Sequence, residues 1–258
     1  MRIRKFEIIR YSHPMFLVRA LRFLYGILVA ILFAVSLILV VPIYFALFSL
    51  LPEKKAPHIA HKISRVWAKT LYILFLIRVK IKGKELIDEK KTYVFIANHL
   101  SQLDIPAYVI ACNNTIRFLA KIELTKIPLM GYVIHKLYLS VDRSSKEARS
   151  QSMLNMRRSI EEGISVFICP EGTRNRTREP LLDFKDGAFR LAIEAQVPLA
   201  VLTITDSQKL LSPLRPVELA PGTIHAIWDK PIETVGMTEA DLPALKEKAR
   251  ALMLKHLV

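Results

Sequence analysis

The stretch YVFIANHLSQLDIP, residues 93–106, decides how this chain is read. The apolar run from Tyr93 to Ala97 reads as a strand, and Asn98 and His99 stand where it ends. Asp104 follows His99 by five positions and directly precedes Ile105-Pro106. Proline is tolerated in a first helical turn, where its missing N–H has no intrahelical partner, so Asp104 reads as a helix start. Leu100 to Leu103 are then a turn. In an open α/β sheet, ligands bind beyond the carboxyl ends of the strands. On one regular helix a spacing of five points two side chains apart, whereas a strand–turn–helix junction can fold the Asp104 carboxylate back onto the His99 imidazole. A carboxylate on one ring nitrogen fixes the tautomer, and the other nitrogen can take a proton from an alcohol. The spacing alone leaves a second reading open, with His99 a turn residue and Asp104 a helix cap.

Outward from this stretch, strands alternate with helices. IRVKIKG (77–83) alternates apolar and basic residues, as a strand with one exposed face does. TYVFIA, IRFLA, KLYLSV, ISVFIC and PLAVLTI read as further strands, and AIWD around Trp228 closes the set. Helical segments fall near 104–112, 126–136, 145–162, 187–195 and 238–257. This alternation predicts an α/β fold, a mixed and mostly parallel sheet flanked by helices.

The amino-terminal part is different. Phe23 to Pro52 is a run of 30 residues without a charge, about 45 Å as a helix and longer than the roughly 30 Å hydrocarbon core of a bilayer. It is too long for a signal peptide and lacks an A-x-A site, so it predicts a hydrophobic membrane-anchoring helical element. Basic residues flank it on both sides (Arg2, Arg4, Lys5, Arg10, Arg19 and Arg22 before, Lys54, Lys55, Lys62 and Arg65 after), which leaves the positive-inside rule no asymmetry. A re-entrant pair of helices broken near Pro42, with both ends cytoplasmic, is the expectation; a single tilted span is the alternative. From His58 to Ile77, apolar residues recur at helical spacing, as in a core helix or one lying in the lipid interface. Residues 1–76 thus form a basic terminus, a membrane anchor and an amphipathic helix, and residues 77–258 one α/β domain.

Net charge is +15, from 38 Lys+Arg and 23 Asp+Glu, which calls for an anionic partner: nucleic acid, an anionic phospholipid bilayer or a phosphorylated substrate. Aromatic residues do not interleave with the basic ones as a nucleic-acid platform requires, and the apolar run also argues for the membrane, so no nucleic acid is expected. Cys112 and Cys169 fit no metal-ligand spacing, no metal site is expected, and nothing indicates an oxidising compartment.

A second constellation, ICPEGTRNRTRE (168–179), again follows a strand. Gly172 permits close backbone approach, Thr173 offers a hydroxyl and Arg174 supplies a fork that suits phosphate oxygens. Arg176 and Arg178 read as a solvated part of the loop. Together with NHLSQLD (98–104), the PEGTR segment (170–174), KIELTKIPLMGY (121–132) leading to Asp142-Arg143, and FKDGAFRLAIEAQVP (184–198), this chain resembles the PlsC-type 1-acylglycerol-3-phosphate acyltransferases over about residues 75–230. It departs from that family's pattern in having no second glycine between Gly131 and Arg143 and in having Ala200 where a proline is common, positions that bear on acyl-chain and acceptor choice.

The resemblance implies a membrane-bound glycerophospholipid acyltransferase giving phosphatidic acid from lysophosphatidic acid. His99 would be general base on the acceptor's free hydroxyl, Asp104 its orienting partner, and Asn98 and Ser101 supports of the turn. Glu171, Gly172, Thr173 and Arg174, with Lys121 and Arg143, would hold the acceptor phosphate. The donor would be acyl-CoA or acyl carrier protein (acyl-ACP), with no cofactor, at the cytoplasmic face of a membrane, the inner membrane in a bacterium. The same chemistry on another lysophospholipid or a hydroxylated amino-acid lipid is the alternative, and a non-catalytic basic membrane protein the more distant one. Ser101 as nucleophile has little to support it, since no G-x-S-x-G elbow is present.

Overall fold

The computed structural model describes residues 16–141 and 145–258. In chain order the elements are α1 (Phe16–Leu50), α2 (Ala56–Leu74), β1 (Ile77–Lys82), β2 (Val94–Ala97), α3 (Asp104–Ala111), β3 (Ile116–Lys121), α4 (Met130–Leu137), β4 (Leu139–Val141), α5 (Lys146–Glu161), β5 (Ser165–Ile168), α6 (Gly187–Ala195), β6 (Leu199–Thr205), α7 (Ser207–Leu210), β7 (Gly222–Trp228) and α8 (Leu242–Leu257). The strands form one seven-stranded sheet in the order β1-β7-β6-β2-β5-β3-β4. Neighbours run parallel except β6 and β7, which pair antiparallel. This is the mixed, mostly parallel α/β architecture the alternation predicts.

The central strands are buried on both faces, as their continuous apolar runs require. Phe95, Phe167 and Phe118 lie in register across β2, β5 and β3. Tyr108 of α3 stacks on Phe167 with ring centroids 4.7 Å apart. Fully burying such rings stabilises the fold by roughly 1.5–3 kcal/mol each. The α3 face of the sheet also carries α2, through Ala68, Leu71 and Tyr72. The opposite face carries α5, α6 and α8, through Met156, Phe189, Leu245 and Met253. Since β2 leads into α3 on one face and β5 into α6 on the other, a crevice opens between the carboxyl ends of β2 and β5.

Helix α1 runs unbroken through Pro42 from Phe16 to Leu50, so the expected break into two short helices is not present. Packing explains why. Gly26, Val29, Leu37, Val40 and Tyr44 recur at helical spacing and are buried. Val40 and Tyr44 lie against Ala60, Val133 and Leu137, which hold both sides of the proline in line despite its missing N–H bond. Near its start, Arg19 pairs with Glu218 at 2.9 Å and the Leu219 N–H donates to the Arg22 carbonyl. Gly26 is required there, because a Cβ would stand 1.7 Å from the Val217 oxygen. The remaining face of α1, with Phe16, Leu24, Ile31, Leu39 and Phe45, is exposed and apolar. The amphipathic α2 fits both readings of its stripe: one side is core, while Val66 and Ile73 are exposed. The basic residues before Phe16 lie outside the described residues.

Candidate active site

The turn after β2 is built around one carboxylate oxygen. Asp104 Oδ2 accepts the Leu100 N–H at 2.6 Å and the Ser101 N–H at 2.7 Å, and meets His99 Nδ1 at 2.9 Å. Two backbone N–H groups already aimed at this oxygen leave it an acceptor, so Nδ1 donates and Nε2 is the ring nitrogen free to take a proton. Asp104 is buried at the start of α3, while the His99 side chain keeps 17% exposure. The junction thus folds the carboxylate back onto the imidazole. Asn98, wholly buried, fixes the turn to the neighbouring strand by a two-way amide pairing with Ile204, at 2.9 and 2.8 Å. The Tyr108 hydroxyl donates to the Asn98 carbonyl, tying α3 back to the strand end. Ser101 Oγ donates to the Leu211 carbonyl at 2.7 Å and accepts the Leu103 N–H at 3.3 Å, so its hydroxyl is committed to the turn.

The loop after β5 grips the same histidine from the other side. Glu171 Oε1 accepts the His99 N–H at 2.9 Å, and Oε2 accepts the Leu182 N–H at 2.8 Å. The Asn175 N–H donates to the His99 carbonyl at 2.8 Å, so both backbone groups of His99 are held by this loop. Burial pushes the Glu171 carboxyl above its usual range, and the two backbone N–H bonds offset only part of that rise. Gly172 turns the loop with φ 73°, a left-handed conformation that favours glycine.

His99, Gly172, Thr173, Arg174 and Arg176 line one cavity of about 760 Å³. The rest of its wall is largely apolar, including Val29 and Phe33 of α1, Trp67 and Leu71 of α2, and Phe118 of β3. Arg174 and Arg176 make no hydrogen bond or ion pair among the described residues. Cys169 also lines the cavity, but burial pushes its thiol up to about 12, leaving it neutral and poorly nucleophilic near pH 7. Among the described residues, no group of three or more His, Cys, Asp or Glu side chains could hold a metal ion. The arrangement offers a base, two guanidinium groups without a partner among the described residues, and an apolar recess in one space.

The structure brings together Asn98, His99, Ser101, Asp104, Glu171, Gly172, Thr173 and Arg174. Glu171 has a different place from that implied by the motif: its carboxylate is engaged by backbone N–H groups and does not line the cavity. Lys121 is the last residue of β3, at the carboxyl edge of the sheet, and its side chain lies outside the described residues, as does Arg143. Arg176, which the sequence reading leaves in solvent, lines the cavity, and Arg178 does not. The α1 residues of the wall had no signal of their own, since in an uninterrupted apolar run no position stands out.

Comparison with known proteins follows this geometry. A family model described as Acyltransferase matches residues 78–205. The chain is 30% identical over 209 residues to a 1-acyl-sn-glycerol-3-phosphate acyltransferase of Saccharomyces cerevisiae, covering 78% of this chain and 67% of the relative. It is 29% identical over 195 residues to the alpha form from Mus musculus, covering 75% of this chain and 68% of that protein. The chain therefore spans about two thirds of the length of these relatives. Its fold is similar to the crystal structure of the 1-acyl-sn-glycerophosphate (LPA) acyltransferase PlsC from Thermotoga maritima, with a TM-score of 0.77 at 22% identity, covering 93% of this chain and 95% of that one.

Proposed function

This chain belongs to the 1-acylglycerol-3-phosphate acyltransferase family, and from that premise we propose that it acylates the free sn-2 hydroxyl of lysophosphatidate at a membrane surface, giving phosphatidate. The observation that carries this reading is His99, paired behind with buried Asp104, in the wall of an apolar cavity beside two guanidinium groups that have no partner among the described residues. In the proposed reaction the hydroxyl oxygen attacks the thioester carbonyl of the donor. His99 Nε2 takes the hydroxyl proton as the C–O bond forms, and Asp104 stabilises the resulting imidazolium. The C–S bond breaks, and the proton passes from His99 to the departing sulfur. Arg174 and Arg176, with the Thr173 hydroxyl, hold the acceptor phosphate, and Gly172, whose N–H donates to the Cys169 carbonyl, turns the loop that presents them; guanidinium forks suit the phosphate oxygens. Glu171 acts through His99 as a positioning residue. Lys121 and Arg143 remain part of the proposed phosphate site through the family motif. The apolar recess takes an acyl chain.

The packing of α1 supports a particular seat on the membrane. The domain holds α1 from Arg19 to Tyr44, whose hydroxyl is 2.7 Å from Ser64 Oγ on α2. A perpendicular crossing of the bilayer would drag α2 and the strand ends into hydrocarbon. We therefore read α1 as lying along the membrane with its exposed apolar face sunk into it, residues 1–76 as the membrane element and residues 77–258 as the catalytic unit. Cysteines that are both free fit a catalytic unit facing the cytoplasm. The donor, acyl-CoA or acyl-ACP, then arrives from water and the lipid acceptor from the bilayer.

The test is an acceptor panel: purified protein, a labelled acyl thioester, and lysophosphatidate beside lysolipids with choline, ethanolamine or amino-acid headgroups. Phosphatidate should form at least tenfold faster than any other product. Preference for a headgroup without a terminal phosphate would overturn the acceptor assignment.

A further inference from the structure

One charged surface plays no part in this reaction scheme. Along β1, Val79 and Ile81 pack toward the core beneath α2 and α3, whereas Arg78, Lys80 and Lys82 alternate with them and are exposed. Their neighbours in register on β7 are Thr223, His225 and Ile227. On this side α8 packs on β6 through Leu199 and Val201, and the core it belongs to includes no residue of β1 or β7. At one end α8 comes near, its His256 meeting Asp229 just past β7 at 3.0 Å, but Arg78, Lys80 and Lys82 stay exposed as a row of three cations about 13 Å long, at 3.3 Å per residue. None of the three has an ion pair among the described residues. The two acids that border β7 are already engaged, Asp206 by Lys209 at 2.6 Å and His225 at 2.9 Å, and Asp229 by His256 at 3.0 Å.

The placement of this row selects its partner. The exposed apolar side chains of α2, Val66 and Ile73, look outward from the opposite face of the sheet, so a bilayer that accepts them leaves the Arg78–Lys82 row in water. Cations spaced along an exposed strand do not converge on one point as a nucleotide cleft requires. The row suits a complementary acidic protein surface. The Arg78 end of the row lies toward the edge at which β2 and β6 release His99 and Asp206, because β7 and β1 run antiparallel to β6. The short α7 follows β6 at that edge, its Leu211 cap receiving the Ser101 hydroxyl bond.

Resting on the thioester-transfer reading above, we infer that the β1–β7 face docks an acidic acyl carrier protein, which delivers the acyl chain as its thioester to the neighbouring cavity. The test compares wild type with the triple variant Arg78→Glu, Lys80→Glu, Lys82→Glu, using lysophosphatidate as acceptor and either acyl-ACP or acyl-CoA as donor. Reversing charges at a docking rim acts mainly on association, so kcat/KM for acyl-ACP should fall by about tenfold or more and the wild-type value should drop with added salt. With acyl-CoA the same preparation should stay within about twofold of wild type, which also reports that the variant is folded. Equal losses with both donors, no loss with either, or wild type that takes no acyl group from the carrier would each overturn the inference and leave the row as protection of a sheet edge. Reduced binding to anionic phospholipid vesicles, with both donors slowed, would assign the row to the membrane instead. Transfer from neither donor by wild type would sink the functional reading itself.

Discussion

Glu171 shows what a motif residue can conceal. As part of a basic loop it invites a role at a phosphate, yet a buried carboxylate that accepts two N–H bonds is acting on the backbone. One of those N–H groups belongs to His99, so Glu171 sets where the imidazole stands relative to the strand end. An amide offers one acceptor oxygen and would turn its NH₂ toward a second N–H donor. Glu171→Gln should therefore lower kcat by about 10–100-fold with little change in KM for either substrate, since misplacing a reacting group costs rate more than binding. A rise in acceptor KM at unchanged kcat would return Glu171 to the phosphate site. The approach of Asp104 to His99 was legible from one strand–turn–helix junction, because the carbonyl end of a strand and a helix start bracket so few conformations, whereas Asn98 and Ser101 entered through the family resemblance. The direction of the Glu171 carboxylate and the approach of Arg176 were not, because both depend on how the loop after β5 folds against a turn about 70 residues earlier.

At the scale of elements, the seven strands were legible from short apolar runs, but boundaries were not always so. The run KLYLSV was read whole as a strand, whereas α4 continues through Leu137 and β4 begins at Leu139. A short apolar run cannot by itself tell a helix end from a strand start. The contact between α2 and α3 was equally invisible. His61 and Arg65 of α2 reach the carbonyls of Cys112 and Asn113, the orphan acceptors just past the end of α3. The helix that starts with Asp104 is thereby held at its far end. Burial, with the nearby Arg65 charge, lowers the His61 pKa from 6.5 to about 4. Folded His61 thus takes a proton only near pH 4, while the unfolded chain takes it near 6.5, so stability falls as pH falls through that window. The loss from this one group is on the order of 3 kcal/mol. In detergent, unfolding of wild type should show a larger acid loss between pH 6.5 and about 4 than unfolding of His61→Gln. Equal losses would mean that His61 is already charged in the fold.

Over the whole molecule, the long apolar helix does two things at once. One face of α1 closes the cavity at Gly26, Val29 and Phe33, and the other is exposed and apolar. A sequence reading could identify the apolar run but not its seat, because basic residues on both flanks carry no directional information and an all-apolar helix has no distinct packing face. The resulting account joins a lipid-facing recess, a water-facing donor route and a base between them. Its central claim is that His99 removes the proton from the acceptor hydroxyl in a direct transfer. The most direct measurement is the turnover of purified, folded His99→Ala with saturating thioester and lysophosphatidate. A loss of about 10²–10⁴ in kcat, with thermal unfolding unchanged, is the predicted result; turnover within a few-fold of wild type would contradict the claim.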